Sequence, residues 1–176
     1  ETKNIGLRGI EVADTKISNI DGEKGKLIYR GFDILDLTEN STFEETAYLL
    51  LYDKLPNKQE LNEFNAKLIE ARYIPKQMQK NMANWRGDAD PMDMLQAFVS
   101  ALAGYYDEEF SNKDASYEKA INLIAKVPTI IASWHRIRNG LEIVDPDSSL
   151  SHAANFLYMM SGEKPDTEVE KIFDVC

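Results

Sequence analysis

The pattern of polar and apolar positions divides the chain into a short β-rich beginning and a long helical remainder. Thr15 to Ile20 alternates polar and apolar residues, and Lys26 to Arg30 is rich in leucine, isoleucine and tyrosine. The five residues between these runs include an aspartate and two glycines, which suit a reversing loop. The pattern predicts a small β-hairpin. Because a two-stranded ribbon is marginal alone, we expect it to pack against helices or another chain.

From Asp33 onward the apolar residues recur with helical spacing, and several helix starts carry capping residues. In a capping box, the side chain of the residue before the helix accepts a hydrogen bond from the backbone amide three residues later. The side chain of that later residue accepts one from the backbone amide of the first. Asp90 followed by Pro91 is another favourable start, because proline has no amide hydrogen to leave unpaired in the first turn. Gly140 and Gly162 follow helical segments and suit the left-handed residue past a helix end. The predicted capping boxes are Thr42 with Glu45, Asn57 with Glu60, and Thr167 with Glu170.

Two predicted helices differ from the others in composition and length. The helix from about Pro91 to Tyr105 carries several alanines, a serine and a glycine, so another backbone could approach it closely. The helix from about Ser116 to Asn139 has apolar residues at three- and four-residue steps and would be about 36 Å long at 1.5 Å per residue. Pro128 removes one backbone donor inside it, which predicts a kink or a break over residues 124–128. We predict loops over residues 106–114 and 142–149.

Composition narrows the class of protein. The chain has 176 residues, 43% of them hydrophobic, which predicts one compact body. Its formal charge of −10 predicts a surface that repels nucleic-acid phosphates and anionic membranes. We find no apolar run approaching eighteen residues and no basic-then-apolar leader, so we expect neither a membrane span nor a secretory signal. With a single cysteine, Cys176, no intrachain disulfide is possible, which fits a reducing cytoplasm.

The two histidines are the first candidates for chemistry. His135 falls at the C-terminal end of the long helix, where the helix dipole favours a protonated imidazole. His152 falls in the first turn of the next helix, where the dipole opposes a positive charge, so we expect it to be neutral and packed or hydrogen-bonded. Neither has a fixed spacing to a carboxylate, and we expect a structural role for both.

No motif for metal, dinucleotide or serine-hydrolase chemistry is present. Asp88, Asp90 and Asp93 could suggest a hard-cation site, but the spacing lacks the glycine and distal glutamate of a calcium loop. We interpret these residues as a solvated helix start, with Asp90 as its cap.

Several separated motifs give the chain a resemblance to the citrate synthase family. Tyr29-Arg30-Gly31-Phe32, followed by a helix ending Leu51-Tyr52-Asp53-Lys54-Leu55-Pro56, is the combination most typical of that family. The resemblance extends over essentially the whole chain. The further motifs that carry it are Gly6-Leu7-Arg8-Gly9, Asp90-Pro91-Met92-Asp93, Leu123-Ile124-Ala125-Lys126-Val127-Pro128 and Ser151-His152-Ala153-Ala154-Asn155-Phe156-Leu157.

This resemblance implies a mainly α fold, the multi-helical large-domain portion of a citrate synthase with a small N-terminal β-hairpin. Residues 1–176 would be the N-terminal part of the large domain, without the small domain and the C-terminal helices. The family condenses acetyl-CoA with oxaloacetate and water to citrate and CoA, with acetyl-CoA as a substrate and no tightly bound cofactor. This sequence has no match for the three catalytic groups of the family, which are a base aspartate, a histidine in a Gly-Pro-Leu-His-Gly segment and a histidine that polarises oxaloacetate. We therefore expect this chain alone to be inactive.

Two residues of the motifs invite specific interpretations. Arg8 matches an arginine that contacts CoA phosphates in some members of the family, although an exposed surface arginine is the competing interpretation. Arg30 matches the family's Tyr-Arg-Gly, and we expect it to fix the turn between hairpin and helix.

The resemblance also implies a homodimer through helices at about 91–105 and 116–139, packed against their symmetry mates. Two alternatives to citrate synthase remain open at this point. One is 2-methylcitrate synthase, which uses propionyl-CoA, and the other is a non-enzymatic helical interaction module.

Overall fold

The N-terminal part of the chain forms a three-stranded antiparallel sheet. The structure is a computed structural model that describes residues 13–105 and 113–175. The predicted hairpin is confirmed: β1 (Ser18–Asp21) pairs with β2 (Lys26–Tyr29), with Ser18 opposite Tyr29. A third strand, β3 (Phe32–Asp33), pairs with β2 and was not predicted, because two residues are too few for a recognisable alternation.

The other regular elements of the described chain are helices, which confirms the mainly α fold class. The helices are α1 (Ile34–Asn40), α2 (Phe43–Tyr52), α3 (Lys58–Ala71), α4 (Lys76–Ala83), α5 (Pro91–Ala101), α6 (Lys113–Arg138), α7 (His152–Ser161) and α8 (Thr167–Asp174). A short 3₁₀ helix, Leu102–Tyr105, extends α5 to the end that the sequence predicted. Among the described helices, none is both long and apolar enough to span a bilayer.

Most of the predicted helix starts are present. Both halves of the capping box form at Thr42 with Glu45 and at Asn57 with Glu60, and the Asp90 carboxylate accepts from the amides of the next turn. The prediction at Thr167 is wrong. Asp166 precedes the helix instead, without a side-chain capping bond, and Glu170 accepts from the Ser151 hydroxyl at 2.6 Å.

The helix α6 lies at the centre of the fold and packs against α3, α4, α5 and α7. It contributes Ile130 and Trp134 to one apolar cluster, with α4 and α5, and Ile121 and Ala125 to another, with α2 and α3. The chain is therefore organised around a single long helix with apolar clusters along its length.

Pro128 does not interrupt α6, so a break does not occur there, and the alternative of a kink stays a prediction. The turns beside the proline are fixed from outside, because the Lys126 ammonium donates to the Ala71 carbonyl at 2.7 Å and the Thr129 hydroxyl to the Arg72 carbonyl at 2.8 Å. The loop predicted over 106–114 also ends earlier, since α6 begins at Lys113, while residues 106–112 lie outside the described part. The loop over 142–149 is confirmed.

Arg30 has the structural role that the sequence predicted. Its φ is 48°, in the left-handed region, and Gly31 follows at 91°, so the pair turns the chain from β2 into β3. The guanidinium donates to the Leu50 carbonyl at 3.1 Å and pairs with Asp53, also at 3.1 Å. Arg30 thereby ties the sheet to the C-terminal end of α2.

Arg72, at the end of α3, is the most deeply buried charged side chain among the described residues, with 2% of its surface exposed. One guanidinium nitrogen donates to the carbonyls of Asp147 at 3.1 Å and Leu150 at 2.9 Å. Burial lowers the pKa of the guanidinium, against the opposing effect of Glu44. Arg72 thus joins α3 to the loop that leads into α7.

Asp147 stabilises the same loop through its carboxylate and its backbone amide. Its carboxylate accepts from the amide and hydroxyl of Ser149 and pairs with Lys164 at 2.8 Å, and its amide donates to Asn155. These contacts hold the pKa of Asp147 well below its ordinary value, chiefly through the bond from Lys164. The C-terminal end of the loop is therefore anchored by two charged groups, Arg72 and Asp147.

His152 is packed, as its position in a first helical turn predicted. Its ring stacks on Phe43 with centroids 4.6 Å apart and an angle of 5°, and its amide donates to Glu44 at 2.9 Å. Burial lowers the pKa of the imidazole from 6.5 to about 4, with Arg72 acting in the same direction and Glu44 opposing it. At neutral pH the ring is uncharged.

We expect Arg72→Met to destabilise the chain by about 3 kcal/mol, because two interior carbonyls lose a charged donor. Urea unfolding followed by circular dichroism at pH 7 measures this. The control is Arg86→Met, since Arg86 pairs with Asp88 on the surface and its side chain is 84% exposed, and its effect should stay within about 0.5 kcal/mol. Equal unfolding free energies for the two variants would contradict the role given to Arg72.

We expect the stability of the chain to fall with acidification partly through His152. The folded pKa of about 4 lies below the unfolded value of 6.5, so the unfolded state binds the proton first. This contribution is complete above about pH 6.5 and is lost as the pH falls toward 4.

His152→Phe keeps a ring against Phe43 and removes the titrating group. Between pH 7 and 4.5 it should lose about 2 kcal/mol less unfolding free energy than the unmodified chain. The control is His135→Phe, which should keep the part of the pH dependence of the unfolding free energy that comes from His152. Parallel pH profiles for the unmodified chain and His152→Phe would disprove the assignment.

Candidate functional site

An apolar groove lies between α6, α7 and α8, and we call it the α6–α8 groove. Its volume is about 520 Å³, and the first residue of α2 closes one side. Phe156 and Phe173 stack at 5.3 Å across its α7 and α8 walls. The apolar residues that line it are Phe43, Leu123, Ile124, Val127, Pro128, Ile131, Ala153, Phe156 and Phe173.

Two residues with ionisable side chains complete the lining of the α6–α8 groove, His152 and Asp174. The Nδ1 atom of His152 is buried and has no hydrogen-bond partner among the described residues. The Asp174 carboxylate accepts from the Phe43 amide at 3.3 Å through both oxygens, and burial raises its pKa. The groove therefore combines a large apolar surface with a neutral imidazole and a carboxyl group.

Such a lining suits the binding of apolar groups rather than bond-making chemistry. No activated nucleophile contacts a base in it, and the imidazole is stacked rather than held by a carboxylate. In the described ranges, no group of three or more acidic, histidine or cysteine side chains is placed to hold a metal ion.

The structure does not bring the two histidines together. His135 lies in the last turn of α6 and lines a separate cavity of about 220 Å³ with Pro91, Trp134 and Met160. His152 lines the α6–α8 groove. A paired histidine site is therefore not formed by this part of the chain.

The acidic residues at the start of α5 are placed as the sequence indicated. Asp90 caps the helix, and Asp88 accepts two bonds from Arg86, at 3.0 and 2.6 Å. Arg8 lies outside the described residues, so its interpretation as a contact of CoA phosphates stays a prediction.

Sequence reasoning missed a polar cavity beside the groove. It measures about 310 Å³ and is lined in part by Glu44, Asn65, Arg72 and Ser151. The side-chain oxygen Oδ1 of Asn65 and the Nε of Arg72 are buried there without hydrogen-bond partners in the described part of the chain. No local pattern could have revealed it, because the carbonyls that Arg72 binds lie 75 and 78 positions away.

Comparison with known proteins gives consistent results. Citrate synthase from Haloferax volcanii is 38% identical over 97% of this chain, which covers 46% of that relative. A crystal structure of citrate synthase from Pyrobaculum aerophilum overlays with a TM-score of 0.91 and 38% identity, over 97% of this chain and 45% of that one. Another, from Thermoplasma acidophilum in complex with carboxymethyl coenzyme A and oxaloacetate, overlays with a TM-score of 0.91, 27% identity and the same coverage.

These relatives are longer than the chain, which spans a little under half of each. The family model described as citrate synthase, C-terminal domain, matches residues 6–176. The match covers almost the whole sequence, and the relatives and the solved structures agree with it. The chain therefore belongs to the citrate synthase family.

Proposed function

We propose that this chain is the N-terminal part of the large domain of an enzyme that condenses acetyl-CoA with oxaloacetate and water to give citrate and CoA. The observation that carries the proposal is the family match over residues 6–176, with relatives of which the chain covers less than half. The relative from Thermoplasma was solved with carboxymethyl coenzyme A and oxaloacetate, which supports a CoA thioester and oxaloacetate as substrates here.

The family match argues against an unrelated helical interaction module. Most of the similar proteins are named citrate synthases and another is named citrate/2-methylcitrate synthase, so we propose citrate rather than 2-methylcitrate as the product, and acetyl-CoA rather than propionyl-CoA as the substrate. We place the parent enzyme in the cytoplasm, because a sequence with a single cysteine suits a reducing compartment.

The contribution of this chain to the reaction is a scaffold. Condensation needs a base to take a proton from the acetyl methyl group and donors to stabilise the enolate and polarise the keto group. His152 is neutral, stacked and buried, and His135 lines another cavity, so neither is arranged with a carboxylate as an acid–base pair. The reacting groups would then come from the part of the enzyme that the relatives have in addition.

We expect the chain alone to release no thiol from acetyl-CoA in the presence of oxaloacetate, above a heat-treated control. A chimera that joins it to the C-terminal remainder of the Pyrobaculum aerophilum relative should release thiol, because the missing groups are restored. Ellman's reagent follows the reaction, and propionyl-CoA in place of acetyl-CoA reports the acyl preference.

The intact Pyrobaculum enzyme is the positive control for this assay. Activity of the chain alone would contradict the scaffold role. A folded chimera without activity, beside an active control, would contradict the proposed reaction.

We also propose a homodimer through α5 and α6. On α5 and its extension, Met92 is 68% exposed, Tyr105 is 42% exposed and Ala101 is also exposed. A Cβ atom built at Gly104 would meet no atom within 4 Å among the described residues, which suits close approach by a partner helix. Small residues at such an edge let two backbones approach closely.

In equilibrium sedimentation at tens of micromolar, we expect the chain to be a dimer and Ala101→Glu to be a monomer, because a twofold contact would bring two like charges together. Leu35→Glu, at a 69% exposed position on α1, should stay dimeric. A monomer for the unmodified chain would rule out the interface.

A further inference from the structure

The polar cavity beside the α6–α8 groove contains two buried polar atoms that the described part of the chain leaves without hydrogen bonds. One is the Nε of Arg72, a side chain that is 2% exposed, and the other is the Oδ1 of Asn65. Both residues line the cavity. A buried donor or acceptor without a partner costs free energy, and native structures meet such groups with water or a ligand. The cavity therefore has a hydrogen-bonding requirement that its own walls do not meet.

Two neighbouring polar groups of the cavity are engaged with other residues. The Ser151 hydroxyl donates to Glu170 at 2.6 Å and accepts from the Ala154 amide at 3.1 Å. The Glu44 carboxylate accepts from the His152 amide at 2.9 Å. Because these bonds do not reach the two unmet atoms, a molecule inside the cavity has to supply their partners.

The cavity is larger than a single water molecule needs. Its volume is about 310 Å³, which lies at the lower end of the range of ligand pockets. Asn65 and Arg72 are seven positions apart on one face of α3, so their backbones lie about 10 Å apart along the helix axis. An occupant with polar groups along its length can serve both side chains at once.

The two unmet atoms and the nearby charges define the chemistry of the occupant. The Nε of Arg72 donates and the Oδ1 of Asn65 accepts, and a hydroxyl group can meet either requirement. The charges of Arg72 and Glu44 cancel, and Glu170 lies just beyond Ser151. An anion would face these two carboxylates and leave Asn65 unmet, whereas a cation would face the guanidinium. The cavity therefore favours a neutral molecule that carries hydroxyl groups.

The remaining walls of the cavity suit the carbon chain of such a molecule. In a polyol, C–H groups lie beside the hydroxyls, so the carbon chain can pack on apolar side chains while the hydroxyls meet the polar ones. Ser148 and Ser149 also line the cavity and are exposed, which leaves an entrance on the side of the loop before α7. The apolar lining residues are Leu61, Leu68, Ile69 and Leu150.

We propose that the polar cavity between α2, α3 and the loop before α7 binds a short neutral polyol, a linear molecule with a hydroxyl on each carbon. One hydroxyl accepts from the Nε of Arg72, and another donates to the Oδ1 of Asn65. The bound molecule joins the start of α2 to α3 and the loop, the two segments that Arg72 already links. The site is separate from the reaction proposed above, and neither result of its test bears on that reaction.

A nuclear magnetic resonance titration of the unmodified chain with xylitol tests the site directly. The Nε–H group of Arg72 and the side-chain amide of Asn65 give separate signals, and we expect both to shift along one saturating curve. Betaine is a neutral solute without hydroxyls and should produce only a small linear drift of the same signals. Sulfate should also fail to saturate them, because the cavity has no net positive charge.

Substitutions on α3 locate the binding. Asn65→Leu removes the acceptor and should weaken xylitol binding about tenfold, as read from the Arg72 Nε–H signal. Asn62→Leu is the matched control, because it makes the same change at an exposed position of the same helix, and it should bind as the unmodified chain does. Ile69→Phe fills part of the cavity without removing a polar group and should also weaken binding.

Three results would overturn the proposal. Shifts that rise linearly with xylitol and match those with betaine would show that water alone fills the cavity. Saturation by sulfate and not by xylitol would make the cavity an anion site. Equal xylitol affinities for Asn65→Leu and Asn62→Leu, with both variants folded by their amide spectra, would place the binding elsewhere.

Discussion

The buried guanidinium of Arg72 is the contact on which the arrangement of the helices depends. It lies at the C-terminal end of α3, and its own carbonyl accepts from Thr129 in the middle of α6. Its side chain donates to two carbonyls of the loop before α7. The side chain is 2% exposed, and a buried charge is costly unless hydrogen bonds compensate it, so these bonds make Arg72 fix three segments relative to one another.

The position of α7 follows from that constraint, and the groove follows from the position of α7. The loop held by Arg72 and Asp147 delivers Ser151 as the cap of α7, and His152 is then brought against Phe43 and Glu44. The same placement sets Phe156 of α7 opposite α8 and leaves one face of α6 open between α7 and α8. A polar network beside the groove therefore helps to shape its apolar surface.

How much of this could be predicted from the sequence depends on how local each interaction is. The capping boxes at Thr42 and Asn57 involve residues three positions apart, and both were predicted correctly. The packed, neutral state of His152 was also predicted, because its place in a first helical turn already disfavours charge. Of the kink or break expected at Pro128, the break does not occur, and distant contacts from Lys126 and Thr129 hold the neighbouring turns. The groove itself had no local signature, since its walls come from four helices that meet only in the fold.

The hydrogen bond between the Phe43 amide and the Asp174 carboxylate spans 131 positions of the chain. The first amide of α2 thus finds its hydrogen-bond acceptor in a residue that leaves the ribosome on the order of 10 s later, at common rates of synthesis. During that interval the aromatic ring of Phe43 has neither α7 nor α8 to pack against. The first helices of this fold emerge with an unfinished surface, and a nascent chain of this length needs protection from association until α8 arrives.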